Sequence, residues 1–123
     1  IESWWSVNST QESYEYSRKT IELIMQNWRA YIFDNDQYAA TQIMLGANYS
    51  GRAINLTQTT AAHAMSYKLT ALYHLPHGHA VALCLPHIWQ EYLSYVFSQI
   101  ASAMGASTPT EAIALFRKMM VEM

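Results

Sequence analysis

Residues 61–89 read AAHAMSYKLTALYHLPHGHAVALCLPHIW. The stretch lacks sustained two-residue alternation, so its signal is helical. A helix is expected over about residues 59–73, carrying His63. The break His74-Leu75-Pro76 follows. Proline is tolerated in the first turn of a helix, where its missing N–H costs nothing, so the next helix should begin near His77. Pro86 is expected to kink or interrupt that helix. Four of the five histidines of the chain fall between residues 61 and 79. A histidine on one helix, followed after one bend by a histidine at the mouth of the next, aims two imidazoles at one point. Neutral imidazole is the commonest side-chain ligand for metals near neutral pH, so His63 and His77 are candidate ligands.

The rest of the chain extends the helical reading. Ser9-Thr10-Gln11-Glu12 has the form of a capping box, with Ser9 accepting from the Glu12 N–H and the Glu12 side chain reaching back. The amphipathic helix it opens places Tyr14, Ile21, Ile24, Met25, Trp28 and Ile32 inward. Asp34-Asn35-Asp36 ends it and caps the next, about residues 36–56. That second helix is apolar and rich in small residues, which suits the centre of a bundle. Beyond Pro86 a further helix is expected from His87 to about Met104, with Gly105 as its stop. Thr108-Pro109-Thr110-Glu111 forms a second capping box for the last helix, whose inner face carries Ile113, Phe116, Met119 and Met120. The expected fold class is all-α, a helical bundle in one domain over residues 1–123.

Composition excludes several function classes. Hydrophobic residues make up 51% of 123 residues and aromatics 13%, which marks a folded globular chain. A net charge of −2 without a basic stripe gives no support for nucleic-acid partners or an anionic membrane surface. No apolar run approaches the roughly 20 residues that cross a bilayer. Cys84 is the single cysteine, so no intramolecular disulfide exists and a reducing cytoplasmic location is the default expectation. Cys84 reads as a small core residue. Trp4, Trp5, Trp28 and Trp89 read as core and interface anchors, and His74 and His87 as surface or supporting residues.

His63 and Tyr67 are four apart and so share one face of their helix. Two ligands do not hold a metal firmly. The further candidates are His74, His79 or a distant carboxylate, and the spacing is equally compatible with helix-terminal and core histidines satisfied by hydrogen bonds. The opening Ile1-Glu2-Ser3-Trp4-Trp5 has no initiator methionine and reads like the interior of a helix, as in a piece of a longer protein.

Residues 61–89 resemble the C-terminal signature of the iron-containing (group III) alcohol dehydrogenases. That signature has the form H-A-x-x-H-x-L-G-A, then P-H-G-x-A-N-A-x-x-L-P. The matching positions are His63, Ala64, Leu69, Ala71, Pro76, His77, Gly78, Ala80, Ala82, Leu85 and Pro86. Ile1-Glu2-Ser3 resembles the family's D-A-x-x-H-A-x-E segment entered just after its histidine, and residues 44–54 resemble the small-residue helix before the signature. The resemblance implies that His63 and His77 are two of four metal ligands. It places the other two, an aspartate and a histidine, just upstream of Ile1, together with an N-terminal nucleotide-binding domain.

Departures from the family pattern bear on substrate. Tyr67 stands at the second histidine of H-A-x-x-H, Thr70 at the glycine of L-G-A, and Val81 at the asparagine. These, with the segments 3–10 and 58–63, resemble the phosphonoacetaldehyde reductase branch. Tyr67 is then the residue lining the reaction site, able to donate a hydrogen bond to a substrate oxygen. Arg52, alone on an apolar helix, is the expected partner of a phosphonate because a guanidinium fork matches its oxygens. Thr59 is a further substrate-binding candidate, with Thr60 and Lys68 weaker ones.

The resemblance implies reduction of an aldehyde by NAD(P)H with Fe²⁺, or Zn²⁺, as Lewis acid. The expected partners are a small aldehyde or alcohol, the protein's own nucleotide-binding domain and a second copy in a homodimer. This chain by itself is expected to be inactive. Alternatives are a simple alcohol, diol or 4-hydroxy acid as substrate, or a non-catalytic helical interaction module with structural histidines.

Overall fold

Seven helices and no strand make up the described residues of the computed structural model, which are 1–91 and 95–123. They are α1 (Glu2–Trp5), α2 (Gln11–Phe33), α3 (Gln37–Thr57), α4 (Ala61–Tyr73), α5 (His77–Glu91), α6 (Tyr95–Ala103) and α7 (Pro109–Glu122). The fold is all-α, as the sequence periodicity implies.

Helix starts follow local chemistry, with one shift from the expected pattern. The capping box of α2 is formed by Thr10 and Ser13, not Ser9 and Glu12: the Thr10 hydroxyl accepts from the Ser13 N–H, and the Ser13 hydroxyl accepts from the Thr10 N–H. A short hydroxyl at the third helical position reaches the cap as well as a carboxylate does, which moves the box by one residue. Asp36 caps α3 by accepting from Ala39 N–H at 2.7 Å, and Asn35 takes the left-handed conformation (φ 51°) that reverses the chain between α2 and α3. At α7, Thr108 accepts from Glu111 N–H, but the Glu111 carboxylate accepts from Ser107 N–H, one residue before the cap. Pro109 takes the first helical position.

α2 and α3 pack as an antiparallel hairpin. Tyr16 stacks on Tyr49 with ring centroids 5.8 Å apart, and the Thr20 hydroxyl donates to the Gly46 carbonyl at 3.1 Å. A Cβ on Gly46 would stand 3.4 Å from Ile24 Cγ1, so the small residue there sets how closely the two helices approach. The expectation that α3 occupies the centre of the bundle is corrected. Ala39, Gly46, Ala53 and Thr57 are buried, but Met44 is 74% exposed and Tyr38, Leu45 and Leu56 also face solvent. The small-residue face serves one close neighbour, α2, rather than several. Ile32, expected inward on α2, is exposed in its last turn.

The main core joins α1, α2, α5, α6 and α7. Trp4 of α1, Ile21 of α2, Trp89 of α5, Phe97 and Ile100 of α6, and Ile113 of α7 form one buried cluster. A smaller cluster of Ala62, Cys84 and Leu85, with Trp5 and Phe116 against it, lies beneath the start of α4. Pro86 sits inside α5, which continues through it to Glu91 rather than breaking there. Of the helix expected over about 87–104, residues 92–94 lie outside the described residues; α6 supplies its second part. Gly105 adopts φ 80° just beyond α6, the left-handed stop that glycine permits.

Cys84 is buried, as its reading as a core residue anticipates. Burial pushes its thiol above the ordinary cysteine range, and the negative charge of Glu2 adds to the effect. Only a thiolate reacts well with alkylating agents. Iodoacetamide at neutral pH should therefore label Cys84 at least ~100-fold more slowly in the native protein than in urea, since reaction must wait for opening. Mass spectrometry of timed samples checks this, and equal rates would contradict it.

Candidate metal centre

The start of α4 is assembled by a residue from the other end of the sequence. Thr60 is the N-cap by position, but its side chain caps no backbone N–H of α4. Its place is taken by Glu2, whose side chain is buried to 6% exposure. Glu2 Oε1 accepts from the backbone N–H groups of Thr60 (3.1 Å), Ala62 (3.0 Å) and His63 (3.4 Å), and from the Thr60 hydroxyl (2.6 Å). The Trp5 indole N–H in turn donates to Thr60 Oγ1 at 2.8 Å. Nearby, Ser6 donates to the Thr57 carbonyl, and the Thr57 hydroxyl donates to Ser3 Oγ. This network fastens α1 to the turn between α3 and α4, where Gln58 holds the positive φ of 63°.

The second oxygen of Glu2 faces His63: Oε2 pairs with Nδ1. Burial pushes the Glu2 carboxyl up. The hydrogen bonds from Thr60 and His63 and the charge of His63 together outweigh it, so the group lies below the ordinary carboxylate value of 4.5. It is held as a carboxylate.

The other imidazole arrives from the turn. α4 ends at Tyr73, and His74 adopts the left-handed conformation (φ 56°, ψ 26°) with its N–H donating to the Thr70 carbonyl. Leu75 and Pro76 then lead into α5, with His77 first in the helix. Its ring folds back over α4. The ring centroids of His63 and His77 are 5.3 Å apart with planes 63° from parallel, and Tyr67 stacks on His77 at 6.0 Å and 10°. His63 is partly buried, whereas His77 and Tyr67 are exposed. Among the described residues no group of three or more His, Cys, Asp or Glu side chains converges as a full metal shell. The two imidazoles fit part of one: with Nδ1 of His63 taken by Glu2, Nε2 is the nitrogen left for a ligand.

Beneath His63 lies a cavity of about 250 Å³ whose walls include Glu2, Thr59, Ile21, Ile54 and Phe116. Thr59 thus lines the same cavity as His63. Arg52 is not among the residues lining this cavity. It is exposed, with its guanidinium 5.8 Å from the centroid of the Tyr16 ring on the α2–α3 face. Lys68, His74, His79 and His87 are exposed.

The family model "Fe-containing alcohol dehydrogenase family, C-terminal" matches residues 1–123. The chain belongs to this family. A phosphonoacetaldehyde reductase of Streptomyces viridochromogenes is 38% identical over 86 residues, covering 68% of this chain and 22% of that protein. Alcohol dehydrogenase 4 of Saccharomyces cerevisiae is 33% identical over 121 residues, covering 92% of this chain and 32% of that protein. An iron-containing alcohol dehydrogenase of Thermococcus thioreducens superposes with a TM-score of 0.87 at 21% identity, over 98% of this chain and 33% of that one, a likeness of fold. The chain therefore spans between about a fifth and a third of the length of these relatives. No helix among the described residues is long and apolar enough to cross a membrane.

Glu2 is the residue that sequence reasoning passed over. Its place in the D-A-x-x-H-A-x-E segment was visible, but its contact with His63 joins positions 61 residues apart in sequence, and no local periodicity carries that information.

Proposed function

We propose that this chain is the metal-binding helical part of an NAD(P)-linked alcohol dehydrogenase acting as an aldehyde reductase. The reading rests on the convergence of His63 and His77, rings 5.3 Å apart, with one His63 nitrogen engaged by Glu2. His63 and His77 would hold Fe²⁺, or Zn²⁺, since imidazole suits both. A metal bound there supplies Lewis acidity that stabilises negative charge developing on a carbonyl oxygen, while reduced nicotinamide supplies hydride. Tyr67, one helical turn from His63, offers its hydroxyl as a hydrogen-bond donor to the substrate oxygen, and its stacking on His77 limits how far the ring swings. Thr59 offers a second hydroxyl at the cavity wall. The remaining ligands and the nucleotide site belong to other parts of the protein, for which the chain depends on an N-terminal nucleotide-binding domain.

Phosphonoacetaldehyde is the finer substrate reading. The similarity to the Streptomyces reductase supports it, with Arg52 as the guanidinium that would read the phosphonate. The assay compares phosphonoacetaldehyde with acetaldehyde in the complete protein and in Arg52→Ala, following NAD(P)H oxidation. A charge-assisted contact of about 1.5–3 kcal/mol corresponds to a loss of at least ~10-fold in kcat/KM for the phosphonate alone. Equal loss with both aldehydes, or none, removes Arg52 from the site and favours a simple alcohol, a diol or a 4-hydroxy acid as the substrate class. The exposed position of Arg52 against Tyr16 makes this second outcome a pointed alternative.

A further inference from the structure

We infer that Glu2 is a positioning residue that fixes His63 in the tautomer protonated at Nδ1, keeping Nε2 free as the ligand nitrogen; the inference rests on the metal-site reading above. Three observations carry it. Glu2 is buried and placed by four donors on one oxygen, so its carboxylate has little freedom to turn. The oxygen left over faces His63 Nδ1. A carboxylate only accepts, so the imidazole must present N–H at Nδ1, and in the neutral ring, the form that ligates a metal, the in-plane lone pair then falls on Nε2. One side chain thus closes the helix start and sets the ring chemistry three residues into the same helix. The arrangement explains why Thr60 surrenders the capping role: its hydroxyl donates to Glu2 and accepts from Trp5, fixing the carboxylate instead of an α4 backbone N–H.

Glu2→Gln separates positioning from folding. The amide oxygen can still accept from Thr60, Ala62 and His63 N–H, because the opposite rotamer would set its NH₂ against those donors. The NH₂ then faces Nδ1 and donates to it, which forces the ring proton onto Nε2. A change that is nearly isosteric should therefore invert the tautomer.

The first measurement uses the complete protein, free of metal and labelled with ¹⁵N-histidine, at a pH well above the ordinary histidine value of about 6.5. Wild type should show a pyrrole-type signal at His63 Nδ1 and a pyridine-type signal at Nε2, and Glu2→Gln should exchange them. The same tautomer in both proteins, or wild type protonated at Nε2, overturns the inference. The second measurement titrates Zn²⁺ in competition with a fluorescent chelator, where Glu2→Gln should bind about 10- to 100-fold more weakly. Equal affinity in the two proteins overturns the positioning role. If wild type shows the Nδ1–H tautomer but takes up no Zn²⁺ or Fe²⁺, the metal-site reading fails while the tautomer assignment is upheld. Should Glu2→Gln not fold, the wild-type tautomer alone decides the assignment.

Discussion

Replacing His77 by alanine should remove most of the bound divalent metal and lower aldehyde-dependent NAD(P)H oxidation by ~10³-fold, the scale of several kcal/mol of lost Lewis-acid stabilisation. The fold should survive. His77 is exposed at the first position of α5, where its ring stacks on Tyr67 and meets His63 but fills no core, so the stability of the metal-free protein should change by no more than about 0.5 kcal/mol. His63→Ala should cause a similar loss of metal and rate with a different structural cost. It leaves Glu2 Oε2 without its partner inside a buried network, a penalty of about 1–3 kcal/mol. The two variants therefore share a functional phenotype and differ in urea midpoint. Metal analysis, the aldehyde assay and urea unfolding on the complete protein check all three parts. Wild-type metal content and rate in both variants would dismiss the metal role and leave the two histidines as structural residues.

The contrast between those variants also marks what a sequence can disclose. The pairing of His63 with His77 was legible because it is local: one helix, one three-residue turn and a second helix bring the rings together, and proline and histidine punctuate the turn at fixed positions. Helix limits were legible to within a residue or two for the same reason, since caps are chemistry between near neighbours; the exception is the end of α5, which runs on to Glu91 past the break expected at Pro86. Where two short polar residues competed, at Ser9 and Thr10, the choice turned on which hydroxyl could be answered from three positions on, and Ser13 answered Thr10.

The side of α3 that meets its neighbours was not legible. A small-residue helix is compatible with burial on all sides or with one close approach, and only the position of α2 distinguishes them. Arg52 illustrates a related limit. A lone cation on an apolar helix invites a functional reading, yet Tyr16, from the preceding helix, offers it an aromatic face. Glu2 was hidden for the opposite reason, because its importance comes wholly from where α1 docks against the start of α4.

That docking depends on the core beneath it, and Trp89→Ala should produce the largest loss of stability in the chain, about 3–5 kcal/mol. Trp89 is 1% exposed and forms a triangle of rings with Trp5 of α1 and Phe97 of α6, whose centroids are 6.4 Å and 6.3 Å from its own and 5.2 Å from each other. Truncation removes contacts with both helices at once, and the surrounding aromatic rings are too rigid to fill the space. Its indole N–H is buried without a hydrogen-bond partner among the described residues. Trp89→Phe therefore discards a polar group that returns little, and should cost far less, about 1–2 kcal/mol. Urea midpoints at constant slope would report both values, and an alanine variant within 1 kcal/mol of wild type would show that the aromatic cluster does not hold α1, α5 and α6 together. The direct effect on His77 should be small, since about twelve residues of helix at about 1.5 Å each put Trp89 ~18 Å along α5 from it. His63 is linked more closely: Trp5, whose ring meets Trp89, donates to Thr60, and Thr60 donates to Glu2. Under conditions where Trp89→Ala is still folded, metal affinity should therefore fall through Glu2, and an affinity equal to wild type would show that the aromatic cluster does not govern how α1 presents Glu2 to His63.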